Sequence, residues 1–163
     1  AISDAVFGKT NPCGKLTTTF PRAVGQEPLY YNYLQCSRPP WTDNHFIAYN
    51  SNYIDVANTP LYPFGFGLSY TTFEYGNLET ASESISESEP IKVSLRVTNT
   101  GNRAGVEIVQ LYMHDCLASL ARPVKELKNY QRVTLQPGES KKVEFTLTVE
   151  DLKFYNSDLE WGI

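Results

Sequence analysis

Apolar and polar residues alternate strictly in two segments of the second half of the chain. Between Ile91 and Thr98 every odd position is apolar and every even position is polar, and the segment from Val143 to Val149 repeats this pattern. A period of two kept over such a length is typical of a β-strand with one face in a core and the other in water. Both segments are therefore predicted to be half-buried strands.

Three further segments complete the β half of the chain. Thr72–Glu79 is predicted to be an opening strand, Val106–Met113 a central strand because it is partly apolar on both faces, and Val124–Leu135 one or two strands. Turn signals rich in Asn, Gly and Pro separate them, at Asn99–Gly105 and Gln136–Glu139. About five or six short strands with no amphipathic helix between them predict a mainly β fold, an antiparallel sandwich of immunoglobulin-like type. A seven-stranded sandwich would need at least one strand more.

The first 70 residues have a different character. They hold 13 of the 21 aromatic residues and 7 of the 10 prolines, and their four basic residues balance four acidic ones. The opening residues are typical of the end of a helix that stops at Gly8, and Leu16–Phe20 is predicted to be a strand that ends at Pro21. One helix end and one strand bury too little surface to fold alone. We therefore interpret this half as part of a larger domain and both chain ends as cut.

The segment Pro60–Tyr70 connects the two halves. Its two prolines fix φ, and its two glycines allow backbone conformations that other residues avoid, among several apolar side chains. Such a composition predicts a rigid joint and not a flexible linker.

Composition and charge exclude several functions. The formal net charge is −4 with no basic excess, so the chain lacks the electrostatic signature of a nucleic-acid-binding protein. No apolar run reaches the length of about 18 residues that a membrane span needs. No motif calls for a cofactor, and the cysteine and histidine spacing does not predict a metal site.

The three cysteines leave one question open. A disulfide between Cys13 and Cys36 would require an oxidising compartment, and spacing alone does not establish it. Cys116 follows a histidine and an aspartate, so it is either a reactive thiol or a half-buried residue at a strand end, and the second interpretation is favoured.

Several short motifs, all in one order, resemble those of glycoside hydrolase family 3, most closely its periplasmic β-glucosidase type. Pro60–Phe73 resembles the family's PLYPFGxGLSYTxF segment. The other matching segments are Asn11–Leu16 with Phe20–Arg22 (NPxGKL, TFPR), Val24–Pro28 with Tyr30–Asn32 (VGQxP, YYN), Tyr53–Asp55 (YID), Val97–Gly101 (VxNTG) and Arg122–Lys128 (RPxKELK). Cys13, Ser37 and Asn129 depart from the family pattern. The resemblance covers essentially the whole chain.

The resemblance implies a division into three parts. Residues 1–59 would be the C-terminal end of an α/β sandwich domain with a long loop, and residues 60–70 the joint. Residues 71–163 would be a fibronectin type III-like domain that lacks its last strand or strands. The partners implied are the upstream barrel and α/β sandwich domains of the same enzyme, and oligomerisation stays open.

The resemblance also implies an activity, the retaining hydrolysis of terminal non-reducing β-D-glucosyl residues, in a periplasmic or extracellular location. The nucleophilic Asp and the acid/base Glu are expected upstream of Ala1, so no catalytic residue is assigned here. Trp41 and Asp43 are candidate substrate contacts, because aromatic rings stack on sugars and carboxylates bind hydroxyl groups. Asp55 is expected to be a structural hydrogen-bond acceptor, and the pair Tyr30 and Tyr31 to pack at an interface.

Two alternatives remain. The first keeps the family and changes the substrate, to that of a β-xylosidase or an arabinosidase. The second is a free-standing carbohydrate-binding or adhesion module, which the isolated segment Leu16–Phe20 disfavours. For the fragment alone, the missing neighbours predict an exposed apolar surface, an open sheet edge and a tendency to associate.

Overall fold

The computed structural model describes residues 2–34, 52–82, 84–86 and 89–163. Its packing divides into two compact units. The first, which we call the sandwich unit, comprises Ala1–Gly14, Leu68–Leu111 and Leu127–Ile163. The second, the aromatic unit, comprises Lys15–Gly67 and Tyr112–Glu126.

The first sheet of the sandwich unit is built around β3 (Ile91–Asn99). β6 (Ser140–Leu147) pairs with it antiparallel in an unbroken register, in which Val93 lies opposite Phe145. On the other side β3 pairs antiparallel with two short strands, β1 (Phe73–Tyr75) and β2 (Glu79–Thr80). The alternation at 91–98 and 143–147 thus predicted both members of the β3–β6 pair.

The second sheet joins β4 (Gly105–Met113) to β5 (Glu126–Leu135), and a small hairpin pairs β7 (Phe154–Tyr155) with β8 (Trp161–Gly162). Every residue of β4 is buried or half-buried, as its apolar character on both faces predicted. The hairpin was not predicted from the sequence, because two-residue strands are too short to show an alternation.

The core of the sandwich unit lies between the two sheets. Both sheets contribute buried side chains to a single cluster, Val93, Val97, Val109, Leu111, Val133, Leu135, Val143 and Phe145. Burying one such side chain stabilises the fold by about 1.5–3 kcal/mol. The predicted antiparallel sandwich, a mainly β fold, is therefore confirmed.

Two strand predictions need correction in detail. Thr72–Glu79 is interrupted, because four positions separate Tyr75 from Glu79 while their partners on β3, Val97 and Ser94, are only three apart. The extra residue makes a bulge that divides the segment into β1 and β2. The strand predicted to reach Val149 ends at Leu147, because the Asp151 carboxylate accepts hydrogen bonds from the Thr148 amide and hydroxyl and starts a 3-10 turn at Val149–Asp151.

The amino-terminal helix ends as predicted. α1 spans Ile2–Val6, and Gly8 follows it with φ of +70°, a conformation that glycine adopts without strain. The helix belongs to the sandwich unit.

In the aromatic unit, the predicted strand Leu16–Phe20 is not continuous. Backbone hydrogen bonds join its ends to the segment 62–66: the Leu16 amide donates to Phe66 O (2.8 Å) and the Phe20 amide donates to Tyr62 O (2.8 Å). Pro63 has no amide hydrogen, and Thr17 and Thr18 form a bend, so a regular ladder does not develop between these two points. A short 3-10 helix, Val24–Gln26, follows.

Candidate functional site

The two predicted substrate contacts, Trp41 and Asp43, lie outside the described residues, and so does Cys36, whose pairing with Cys13 the sequence leaves open. Cys116 is exposed, so the interpretation of it as a half-buried residue is wrong. The described part of the aromatic unit contains a polar network, a cleft and an aromatic stack that bear on function.

Gln26 is the centre of the polar network. Its side chain is 1% exposed, and its Oε1 accepts hydrogen bonds from the Arg22 amide (2.5 Å) and the Ala23 amide (3.4 Å). Its Nε2 donates to the carbonyl oxygens of Ala57 (2.8 Å) and Thr59 (3.4 Å). A buried amide is stable only when its donors and acceptors are satisfied, so Gln26 holds residues 22–26 and 57–59 in one arrangement.

Three other side chains reinforce this network. Arg22 Nε donates to Thr59 O (2.9 Å), and the Tyr53 hydroxyl donates to the backbone oxygen of Gln26 (3.1 Å). Asn58, which is buried, accepts from the Tyr53 amide (3.0 Å). The motifs around Arg22, Gln26 and Tyr53 therefore form a single hydrogen-bonded structure.

An open cleft of about 210 Å³ lies elsewhere in the aromatic unit. Uncharged residues line it: Thr17, Thr18, Thr19, Leu29, Tyr30, Tyr31, Asn32 and Phe64. Such a volume is below the 300–1,000 Å³ typical of drug-sized ligands. The cleft combines hydroxyl and amide groups with aromatic rings.

Tyr31 links the cleft to Tyr112, the second-last residue of β4. Its ring stacks on Phe64 at 4.0 Å and 12°, and it meets Tyr112 edge-on at 6.2 Å. Burial, with a smaller contribution from Tyr31, raises the pKa of the Tyr112 hydroxyl. Lys125 Nζ lies 5.4 Å from the centre of the Tyr112 ring, a cation–π distance. Tyr31 thus packs on residues of its own unit, while Tyr30 is 65% exposed. The interface role expected of this pair stays a prediction.

In the sandwich unit, a second polar centre forms around Asn99, which is fully buried. Its Oδ1 accepts from the Thr71 hydroxyl (2.7 Å) and the Gly101 amide (3.1 Å). Its Nδ2 donates to the carbonyl oxygens of Arg103 (2.8 Å) and Leu135 (3.1 Å). One side chain thus joins Thr71, the 99–105 turn and the end of β5.

Asn11 extends this centre to the amino-terminal segment. Its Oδ1 accepts from the Tyr70 amide (2.8 Å) and the Ser69 hydroxyl (3.0 Å), and its Nδ2 donates to Ala104 O (3.2 Å). The Tyr70 hydroxyl donates to Ala5 O (2.7 Å), and Arg103 binds Gly8 O.

Two glycines are required where these segments meet. A Cβ at Gly101 would lie 2.2 Å from Thr71 Oγ1, and a Cβ at Gly105 would lie 2.5 Å from Thr71 Cγ2 and 2.9 Å from the Phe73 ring. These backbone segments can approach so closely only because glycine has no side chain at either position.

The one buried carboxylate among the described residues is Glu107, which is 7% exposed. The Tyr75 hydroxyl donates to its Oε1 at 2.7 Å. Burial, the hydrogen bond to Glu107 and its charge all raise the pKa of Tyr75. Retaining glycoside hydrolysis needs two carboxylates about 5–5.5 Å apart on either side of a sugar, and Glu107 instead packs with the core face of β4.

Within the described ranges, no group of three or more His, Cys, Asp or Glu residues could hold a metal ion. No helix in this part of the chain is long and apolar enough to cross a membrane. Gln26, Asn99 and Asn11 were not identified as important from the sequence. The one feature that could have indicated them is that each is an uncharged polar residue within a motif that resembles those of family 3.

Comparison with known proteins gives two family matches. Residues 1–70 match the glycosyl hydrolase family 3 C-terminal domain, and residues 107–163 match the fibronectin type III-like domain. The predicted resemblance is thereby confirmed.

Individual relatives agree with these matches. The chain is 47% identical over 161 residues, 99% of its length, to a periplasmic β-glucosidase of Salmonella typhimurium. It is 44% identical over 160 residues, 98% of its length, to a β-xylosidase of Formosa agariphila. It spans 21% of the length of each of these proteins.

A solved structure matches as well. The β-glucosidase from Listeria innocua in complex with glucose superposes with a TM-score of 0.88 at 44% identity, covering 98% of this chain and 22% of that one. The sequence motifs, the β-sandwich and these matches together identify the family of the chain. It belongs to glycoside hydrolase family 3, of which it represents the C-terminal part, including a fibronectin type III-like domain.

Proposed function

We propose that this chain is the C-terminal structural part of a β-glucosidase that removes terminal non-reducing β-D-glucosyl residues with retention of configuration. The observation that carries the proposal is the 47% identity, over 99% of the chain, to a periplasmic β-glucosidase. The polar networks around Gln26 and Asn99 support a structural role, because they fix backbone segments relative to one another within each unit.

The catalytic carboxylates of the proposed enzyme would lie upstream of Ala1, the nucleophilic Asp in a barrel domain and the acid/base Glu in the α/β sandwich domain. These two domains are the proposed partners of the chain. The proposed division of the sequence is residues 1–59 with the α/β sandwich domain, 60–70 as the joint and 71–163 as the fibronectin type III-like domain. Trp41 and Asp43 remain proposed substrate contacts, and the proposed location is periplasmic or extracellular.

The experiment compares the full-length enzyme with residues 1–163 on a nitrophenyl β-glucoside. The full-length enzyme should release nitrophenol and retain the anomeric configuration of its product, as followed by NMR. Residues 1–163 should show no turnover. Turnover by residues 1–163 that is lost on replacing a carboxylate of this chain would refute the structural role.

A second candidate activity is that of a β-xylosidase, because a Formosa agariphila protein of that name is 44% identical to the chain. A panel of nitrophenyl β-glucoside, β-xyloside and α-arabinofuranoside tested on the full-length enzyme separates these substrates. Tight binding of β-glucan by residues 1–163 alone, measured by calorimetry, would instead favour a free-standing carbohydrate-binding module.

A further inference from the structure

We call Tyr112–Glu126 the β4–β5 connection, so that it includes the last two residues of β4 and the first residue of β5. This connection packs with a different unit from the rest of those two strands. Residues 107–163 match the fibronectin type III-like domain, yet Tyr112–Glu126 belongs to the aromatic unit together with Lys15–Gly67. A simple loop between two strands of a sandwich would need only a few residues. This connection is longer and makes specific contacts.

Those contacts are concentrated on the segment Tyr31–Leu34. The Val124 amide donates to Tyr33 O at 3.0 Å, and Leu34 forms an antiparallel bridge with Pro123. The connection thus binds this segment as a short piece of a second strand would, by backbone hydrogen bonding. Tyr112 adds its edge-on contact with the Tyr31 ring.

The connection is itself held in shape. Arg122 Nη2 binds Glu126 Oε2 at 2.9 Å, and Arg122 Nε lies 3.9 Å from Asp115 Oδ2. The Arg122 side chain is only 14% exposed. The Arg122 guanidinium therefore lies between two carboxylates, an arrangement that can favour one geometry of the connection. Pro123 fixes φ next to it.

The segment that is held contributes two side chains to the lining of the cleft. Tyr31 and Asn32 line the cleft, and Tyr31 stacks on Phe64. The cleft that this segment lines combines hydroxyl and amide groups with aromatic rings, and such groups can bind a sugar.

We propose that the β4–β5 connection positions the segment Tyr31–Leu34 for substrate binding, so that Tyr112 and Val124 are positioning residues of the enzyme. This inference rests on the proposed β-glucosidase function. The fibronectin type III-like domain would then contribute to substrate affinity through this connection, in addition to stabilising the fold.

The test measures kcat and KM of the full-length enzyme on a nitrophenyl β-glucoside. Val124→Pro removes the amide that binds Tyr33, and Tyr112→Leu removes the ring that contacts Tyr31. Each is expected to raise KM about three- to tenfold, the effect of losing one modest interaction, with kcat within about twofold of wild type. Tyr112→Phe keeps the ring and should restore the wild-type KM. Asn102→Ala, at an exposed position in the sandwich unit, is the control and should change neither constant.

The outcomes are separable. If KM stays at the wild-type value in Val124→Pro and Tyr112→Leu, the proposal is wrong. It is also wrong if a variant has a lower kcat and a lower melting temperature than the wild type but an unchanged KM, because that pattern indicates a purely structural role. If Val124→Pro does not fold, the pair Tyr112→Leu and Tyr112→Phe decides.

The proposed function can fail separately from this inference. An intact wild-type enzyme that hydrolyses none of the three glycosides refutes the proposed function. The positioning role is then judged by the calorimetric Kd for glucose. An unchanged Kd in Tyr112→Leu, or no glucose binding by the wild type, overturns it.

Discussion

Replacing Asn99 by alanine should destabilise the sandwich unit more than any other single change to a polar side chain in it. The Asn99 side chain is fully buried and makes four hydrogen bonds. Alanine would leave the buried Thr71 hydroxyl and the Leu135 carbonyl without this partner. Each such loss costs about 1–3 kcal/mol, and the two more accessible bonds cost less.

The expected loss of unfolding free energy for Asn99→Ala is therefore roughly 3–5 kcal/mol, a large part of the total for a marginally stable domain. For a chain of this size that corresponds to a fall in Tm of about 6–20 °C. Asn99→Asp is informative because it keeps the acceptor for Thr71 and Gly101 and removes the donor to two carbonyl oxygens. It should also destabilise, by repulsion between its carboxylate and those oxygens.

The assay is urea and thermal denaturation of the 163-residue chain, followed by circular dichroism. Asn102→Ala is the matched control, because Asn102 lies in the same turn but is exposed, and its stability should stay within about 0.5 kcal/mol of wild type. A loss below about 1 kcal/mol for Asn99→Ala would refute the reasoning. The hydrogen bonds of Asn99 in the folded state would then be hardly more favourable than those that the same groups make to water.

Three further changes test other parts of the structure in the same assay. Gly101→Ala should destabilise by several kcal/mol, on the order of 3, because its Cβ would clash at 2.2 Å, whereas Gly14→Ala, with no atom within 4 Å, should be near neutral. Gln26→Ala should cost roughly 2–4 kcal/mol, and an unchanged urea midpoint would contradict its central place in the network. The pKa of Tyr75 is raised, so deprotonation disfavours the folded state, and stability should decline as pH rises above about 10. Tyr75→Phe should lose stability at neutral pH by breaking the bond to Glu107 and show a weaker decline above pH 10, and an identical alkaline profile would count against this.

The sequence predicted those parts of the fold that depend on a repeating pattern. The alternation at Ile91–Thr98 and Val143–Leu147 records which face meets the core, so both strands and their inward residues followed from it. The bulge between Tyr75 and Glu79 could not be predicted in this way, because it arises from the pairing register with β3 and not from the local pattern of apolar residues. The end of β6 at Leu147 likewise depends on a side-chain capping bond from Asp151.

The candidate site could be predicted only in part. Aromatic residues in the first half did indicate packing, as the stack of Tyr31 on Phe64 illustrates. The roles of Gln26 and Asn99 could not be inferred from their own surroundings in sequence, because each binds a group about 30 residues away. Gln26 binds the Ala57 backbone oxygen and Asn99 binds the Thr71 hydroxyl. Such long-range bonds leave no periodic signal.

The arrangement around Asn99 also explains why motifs that are far apart in sequence have one physical purpose. Asn11, Tyr70 and Asn99 come from three separate motifs, and all three lie in the sandwich unit. Asn11 binds the Tyr70 amide, and Asn99 binds the hydroxyl of the next residue, Thr71. Tyr70 and Thr71 are therefore held by side chains from two segments that are far from them in sequence. Hydrogen bonding that specifies one path of the backbone accounts for these residues without any chemical role, which is the behaviour expected of a structural part.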